Sequence, residues 1–318
     1  MSAAPSVLAV GTVAFDTIET PFGRADRVLG GSATYLTLAA RFLTDAVRLV
    51  GVVGRDFPEE HVALLQDRGV DTEGLVRDEE GETFFWAGRY GYDLNTRDTL
   101  ATHLNVLATF QPEIPDAYAD SRIVCLGNLD PGVQAAVLDQ VEAAGPRPDL
   151  VVLDTMNYWI EHTPKALRQV LRRVDVLVIN DSEARELANE PNLVRAARII
   201  REMGPPVLVI KKGEHGALLF SDGAVFSAPA YPLEDIHDPT GAGDTFLGGF
   251  AGHLARTDVR DPEELRRAVV LGSALASFVV EAFGPERLLS LTPEELEARI
   301  GAFHDLVAIP SGIAVAAG

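Results

Sequence analysis

The sequence predicts an α/β fold: a parallel β-sheet covered by helices, with a small second β-sheet projecting from it. Three observations lead there. Apolar runs of strand length recur along the chain, and each is followed by a helix-compatible segment. Two other segments break that rhythm with alternating apolar and polar residues, turn formers and clustered aromatics. Strands buried on both faces carry continuous apolar runs, and their alternation with helices marks a parallel sheet.

In chain order, residues 6–11 have the pattern of a first strand and 31–43 that of a helix. Residues 47–53 follow as a strand, with a helix near 58–68. Further strands are expected at 122–126, 150–153, 174–179 and 207–210, with helices at 131–144 and 182–188. The exceptional segments are 16–28 and 83–98, the second holding Phe84-Phe85-Trp86 and Tyr90-Gly91-Tyr92. They are assigned to the small sheet, which serves either as a lid or as a plain edge extension. No repeat or low-complexity linker divides the 318 residues, so a single domain over 1–318 is expected.

Hydrophobic residues make up 47% of the chain, enough for a sizeable core. With 47 acidic and 27 basic side chains the net charge is −20. Such a surface repels nucleic acid and anionic membrane, so neither is an expected partner. An anionic ligand would have to be held by local positive potential, from backbone amides and helix N-termini. Cys125 is the only cysteine and lies in an apolar run, so it belongs to the core. The N-terminus lacks a basic segment followed by an apolar stretch, and a cytoplasmic location is expected. The apolar run 306–317 is interrupted by Pro310 and Gly312 and is too short to span a bilayer. It suits a packed tail or a contact with another chain.

The chemistry concentrates in Asp238-Pro239-Thr240-Gly241-Ala242-Gly243-Asp244. Its glycines permit a tight turn, and residues 245–255 have a helical pattern. Gly241, Ala242 and Gly243 would therefore present amides at a helix N-terminus, an anion site. Asp244 stands beside them. It is either an N-cap or a base that takes a proton from a hydroxyl attacking a phosphoryl group held there. The dinucleotide and Walker patterns are both absent, and the histidines have no metal-binding spacing.

Residues 238–244 resemble the second signature of the PfkB, or ribokinase-like, carbohydrate kinase family. The order of other pieces agrees: Gly30-Gly31-Ser32-Ala33, Gly54-Arg55-Asp56, Asn180-Asp181-Ser182-Glu183 and Lys212-Gly213-Glu214-His215-Gly216 each resemble a family motif. The resemblance implies a doubly wound, mostly parallel sheet with a β lid, ATP and Mg²⁺ as cofactors, and a small-molecule alcohol as acceptor. It makes Asp244 the catalytic base and the amides of Gly241, Ala242 and Gly243 the hold on the transferred phosphoryl group. Asn180 and Glu183, otherwise a helix cap and a first-turn acid, would orient water around Mg²⁺. Asp16 would accept hydrogen bonds from acceptor hydroxyls, and Gly30 and Gly31 would let the backbone approach the acceptor. Lys212, Gly213 and Gly216 would border the nucleotide, and Ser277 would lie in the region lining the adenine. Asp238 and Thr240 fall where some members hold a monovalent cation through carbonyls, so K⁺ is a further expected ligand.

Tyr35 stands where the family usually has an asparagine that contacts the acceptor. It either faces the acceptor or packs under the lid. Asn157, with Asp154, resembles an Asp-x-x-Asn arrangement after the equivalent strand in several members, and Tyr158 and Trp159 either stack on a ring or pack. Arg89 and Arg97 of the lid would favour an anionic acceptor if they faced the site. The function expected is ATP-dependent phosphorylation of a sugar or sugar-like alcohol. The alternatives are a nucleoside kinase of the same fold and a non-catalytic sensor, against which Asp244 argues. Exposed lid aromatics and open strand edges predict a homodimer through the lid.

Overall fold

The computed structural model describes residues 5–307. The chain begins with β1 (Ser6–Val10), β2 (Ala14–Thr20), β3 (Gly23–Gly30), α1 (Ser32–Ala40), β4 (Ala46–Gly54), α2 (Glu59–Asp67), β5 (Val70–Asp78), β6 (Phe85–Tyr90) and β7 (Arg97–His103). It continues with β8 (Ile123–Leu126), α3 (Pro131–Ala144), β9 (Leu150–Asp154), α4 (Asn157–His162), α5 (Pro164–Leu171), β10 (Val176–Asn180), α6 (Asp181–Ala188) and α7 (Leu193–Arg201). It closes with β11 (Val207–Lys211), β12 (Ala217–Ser221), β13 (Ala224–Ala228), α8 (Ala242–Leu254), α9 (Pro262–Val279), α10 (Glu286–Ser290) and α11 (Pro293–Val307).

Among the described residues the large sheet has nine strands in the order β13-β12-β11-β10-β9-β8-β1-β4-β5. From β11 to β5 every pairing is parallel. Alternation along the strands divides the core in two. Leu8, Val10, Val151, Leu153, Leu177 and Ile179 pack beneath α3, α5, α6 and α7, while Val7, Ala9, Val152, Val176 and Val178 pack beneath α8 and α9. Helices cover both faces, so the sheet is doubly wound and its strands need no polar side, as the apolar runs predicted.

Three strands of this sheet were not among those expected from the sequence. β5 is an edge strand that alternates exposed and buried residues, and its polar side hides it. β12 and β13 form an antiparallel hairpin closed by Asp222 and Gly223 at φ 48° and 77°. An Asp-Gly pair between apolar and aromatic runs is the signal that would have found it.

The small sheet runs β3-β2-β6-β7. β2 and β6 pair in parallel, and both outer pairs are antiparallel. β7 extends to His103, past the 83–98 segment, because its mostly exposed residues carry little apolar signal. β3 and β7 are open edges, and Phe22 and Leu100 are exposed beside them. From residue 308 onward the apolar C-terminal run lies outside the described residues.

Candidate active site

Three adjacent parallel strands, β9, β10 and β11, end at Asp154, Asn180 and Lys211. In open α/β sheets ligands bind at the carboxyl ends of strands, and α8 begins at this edge. Asp238 holds the turn before α8. Its carboxylate is fully buried and accepts hydrogen bonds from the Thr240 amide at 2.8 Å and the Gly284 amide at 3.0 Å. Gly241 caps the helix at φ 76°, where a Cβ would lie 2.5 Å from the Tyr35 ring. A side chain there is excluded both by backbone conformation and by that ring. The Ala242 amide closes the turn onto Pro239 O at 3.2 Å. Among the described residues the amides of Gly241 and Gly243 have no protein partner, as an anion site requires.

Asp244 follows in the first turn of α8. Burial, and then the charge of Asp154, push its carboxyl up to about 7, while Lys211 opposes the rise. Glu183 is raised to about 7 by the same causes. It forms a capping box with Asn180: Asn180 Oδ1 accepts from the Glu183 amide, and Glu183 Oε2 accepts from the Asn180 amide, both at 2.8 Å. The cap uses one oxygen of each side chain and fixes both at the sheet edge. Among the described residues no three side chains converge as direct metal ligands. The set suits a hard cation that keeps its own waters, and Mg²⁺ is such a cation.

The small sheet supplies the opposite wall. Asp16 is buried and is raised to about 7 by burial and by Asp238, with the Gly31 amide opposing the rise. A Cβ on Gly30 would lie 2.0 Å from its Oδ2, so the glycine admits the carboxyl group. Asp16 and Trp86 are register partners on β2 and β6, which places them on one face. Two and four residues along β6 lie Gly88 and Tyr90. The Trp86 ring lies over Gly88, where a Cβ would come within 2.1 Å of it. The Tyr90 hydroxyl accepts a hydrogen bond from Thr240 Oγ1 at 3.1 Å, and the Arg97 charge acts on it. That face therefore points at the α8 turn. The Asn95 amide donates to Glu214 Oε2 at 2.8 Å, so the loop between β6 and β7 touches the Lys212–Gly216 turn.

The remaining sequence-selected residues divide. Lys212, Gly213 and Gly216 form a hydrogen-bonded turn after β11, with Gly216 at φ 80°. Tyr35 is 1% exposed and lies under Gly241 with its hydroxyl unpartnered among the described residues, so the structure puts it in the core. Ser277 is tied away from the turn. Its hydroxyl donates to Ala274 O and accepts from Arg299 Nη1, each at 2.7 Å. Asn157 is exposed at the start of α4, and Trp159 donates to Asn128 Oδ1 at 2.9 Å. Arg89 forms an exposed ion pair with Glu19 at 2.9 Å across the two inner strands, whereas Arg97 lies near Tyr90 and over the Trp86 ring. Sequence reasoning passed over Lys211 in favour of Lys212. Its signal was a lysine closing an apolar strand, a position where that side chain needs a partner.

The family model for pfkB family carbohydrate kinases matches residues 7–290. The chain belongs to the PfkB family. It is 29% identical over 280 residues to the cytidine kinase of Thermococcus kodakarensis, covering 87% of this chain and 97% of that one. It is also 29% identical over 326 residues to the nucleoside kinase of Methanothermobacter thermautotrophicus, covering 93% and 96%. Among solved structures it is similar to the ribokinase of Cryptococcus neoformans in complex with ADP, with a TM-score of 0.76 at 21% identity, covering 94% of this chain and 100% of that one. PfkB kinases are ATP-dependent phosphotransferases that act on hydroxyl groups of sugars and related alcohols, and this chain is one of them. Among the described residues no helix is long and apolar enough to cross a membrane.

Proposed function

We propose that this PfkB kinase is a nucleoside kinase, transferring the γ-phosphoryl group of ATP to a ribose hydroxyl. The observation that carries the reading is the Asp16–Trp86 pair on the site-facing side of the small sheet. A carboxylate that accepts from sugar hydroxyls stands one strand away from an indole that can stack on a base. Base stacking on an aromatic contributes roughly 1–3 kcal/mol. The relatives named cytidine kinase and nucleoside kinase support the same reading.

In this arrangement Asp244 takes the proton of the attacking hydroxyl, and the Gly241 and Gly243 amides hold the phosphoryl group as charge develops on it. Ala242 shapes the turn. Asn180 and Glu183 would hold Mg²⁺ through water, and the ion would supply charge neutralisation at the phosphate oxygens. The Lys212–Gly216 turn borders the nucleotide, and the small sheet closes as a lid that excludes water. The carbonyls around Asp238 and Thr240 are the proposed K⁺ site, checked by turnover in K⁺ against Na⁺ buffers. The open edges at β3 and β7 are the proposed dimer contact. A monomer in sedimentation at micromolar concentration rejects it. A cytoplasmic location is proposed on the ATP requirement and is checked by cell fractionation.

The acceptor is tested by coupled assay on cytidine, adenosine, ribose and 2-dehydro-3-deoxygluconate. A nucleoside is expected to lead ribose in kcat/KM. Trp86→Ala is expected to lower nucleoside kcat/KM by about 5–150-fold, the value of one stacked base, with a much smaller effect on ribose. A leading sugar or sugar acid, or an equal loss on both acceptors, overturns the nucleoside reading.

A further inference from the structure

We propose that Lys211 is a catalytic residue, its ammonium moving from Asp154 onto the transferred phosphoryl group beside the Gly241 and Gly243 amides. Lys211 ends β11 in register with Asn180, and its side chain is 18% exposed. It reaches across β10 to Asp154, but only to 3.8 Å from Oδ1, beyond a hydrogen bond. Among the described residues its ammonium makes no hydrogen bond, so three N–H donors are held at the sheet edge by a loose ion pair.

Those donors face the anion turn. A Cβ built on Gly243 would lie 2.8 Å from Lys211 Nζ, which places the ammonium against the residue whose amide is free. The charge balance points the same way. Asp16, Asp154, Glu183 and Asp244 surround the site, and Lys211 and Arg97 are the cations that act on them. Arg97 belongs to the small sheet, whereas Lys211 is built into the large one. In a chain of net charge −20 a triphosphate needs such a local cation. In the transfer the acceptor O–P bond forms and the bridging P–O bond to ADP breaks. The hydroxyl proton goes to Asp244. Lys211 stays protonated and donates to the phosphoryl oxygens.

The inference rests on the placement of the γ-phosphoryl group at the α8 turn, and not on the identity of the acceptor. It is tested on the full chain by calorimetry with the Mg²⁺ complexes of AMP-PNP and ADP, together with turnover on cytidine. Lys211→Met is expected to weaken AMP-PNP by about 10–150-fold, the value of a hydrogen bond to a charged group, with ADP little changed. Its kcat is expected to fall about 10²–10³-fold, and Lys211→Arg to recover part of both. If Lys211→Met fails to fold because Asp154 is left unpaired, the double variant with Asp154→Asn carries the same binding comparison. Equal weakening of both nucleotides, or of neither, overturns the role of Lys211. A wild type that binds AMP-PNP no tighter than ADP overturns the γ-phosphoryl placement. Failure of cytidine as acceptor, with the nucleotide contrast intact, overturns only the nucleoside reading.

Discussion

Asp244→Asn is expected to lower kcat by about 10²–10⁴-fold while leaving nucleotide affinity nearly unchanged. The substitution keeps shape and removes only the proposed proton acceptor. A loss below about tenfold would remove Asp244 from the role of base. The pH dependence follows from the same carboxyl. Because burial and Asp154 raise it to about 7, Asp244 is half ionised near neutrality, and with Asp244 as the proposed base wild-type turnover should fall as pH drops below 7. Stability runs the other way. A carboxyl whose folded value lies above its unfolded value stabilises the fold at low pH, and that contribution is lost as pH rises through about 7. Asp244→Asn should therefore melt above wild type at pH 8. The gap should shrink on acidification and close below the ordinary aspartate range near 4. Thermal melts at several pH values check the sign. A variant that is less stable than wild type at pH 8 contradicts it.

Tyr35→Asn is expected to lower stability by about 3–5 kcal/mol, the range for removing a buried aromatic ring. The ring is the floor on which Gly241 rests, so the α8 turn loses its support as well. Tyr35→Phe separates the ring from the hydroxyl. That hydroxyl is buried without a partner among the described residues, so its removal should be neutral or stabilising. Denaturant midpoints for the two variants, with the acceptor panel on Tyr35→Asn, decide the matter. Unchanged stability with a reordered acceptor ranking would return Tyr35 to the substrate wall.

Local patterns carried the buried strands, the α8 turn, Asp244 and the Asn180–Glu183 pair into view, because each is defined by residues close in sequence. What stayed hidden depends on register and on distant partners. That Trp86 shares a face with Asp16 follows from a parallel pairing of β2 with β6, seventy residues apart and set by tertiary packing. Lys211 and Lys212 are neighbours with opposite fates, since only the strand residue in register with Asn180 is directed over the sheet edge. Ser277 sits in a plausible stretch, yet Arg299 from the last helix takes its hydroxyl. An exposed edge such as β5 has too few apolar residues to announce itself.

The brace at Asp238 has a consequence for the order in which the enzyme comes into being. Its carboxylate needs the Gly284 amide, and the His237 and Asp238 amides both donate to Val280 O. A chain emerging from the ribosome therefore carries Asp244 well before it carries the segment that shapes the turn around it. Domains assemble from the N-terminus during synthesis, and here the strands that end at the site are made first. Phosphoryl transfer becomes available only when translation has passed Gly284 and that late segment has packed against α8.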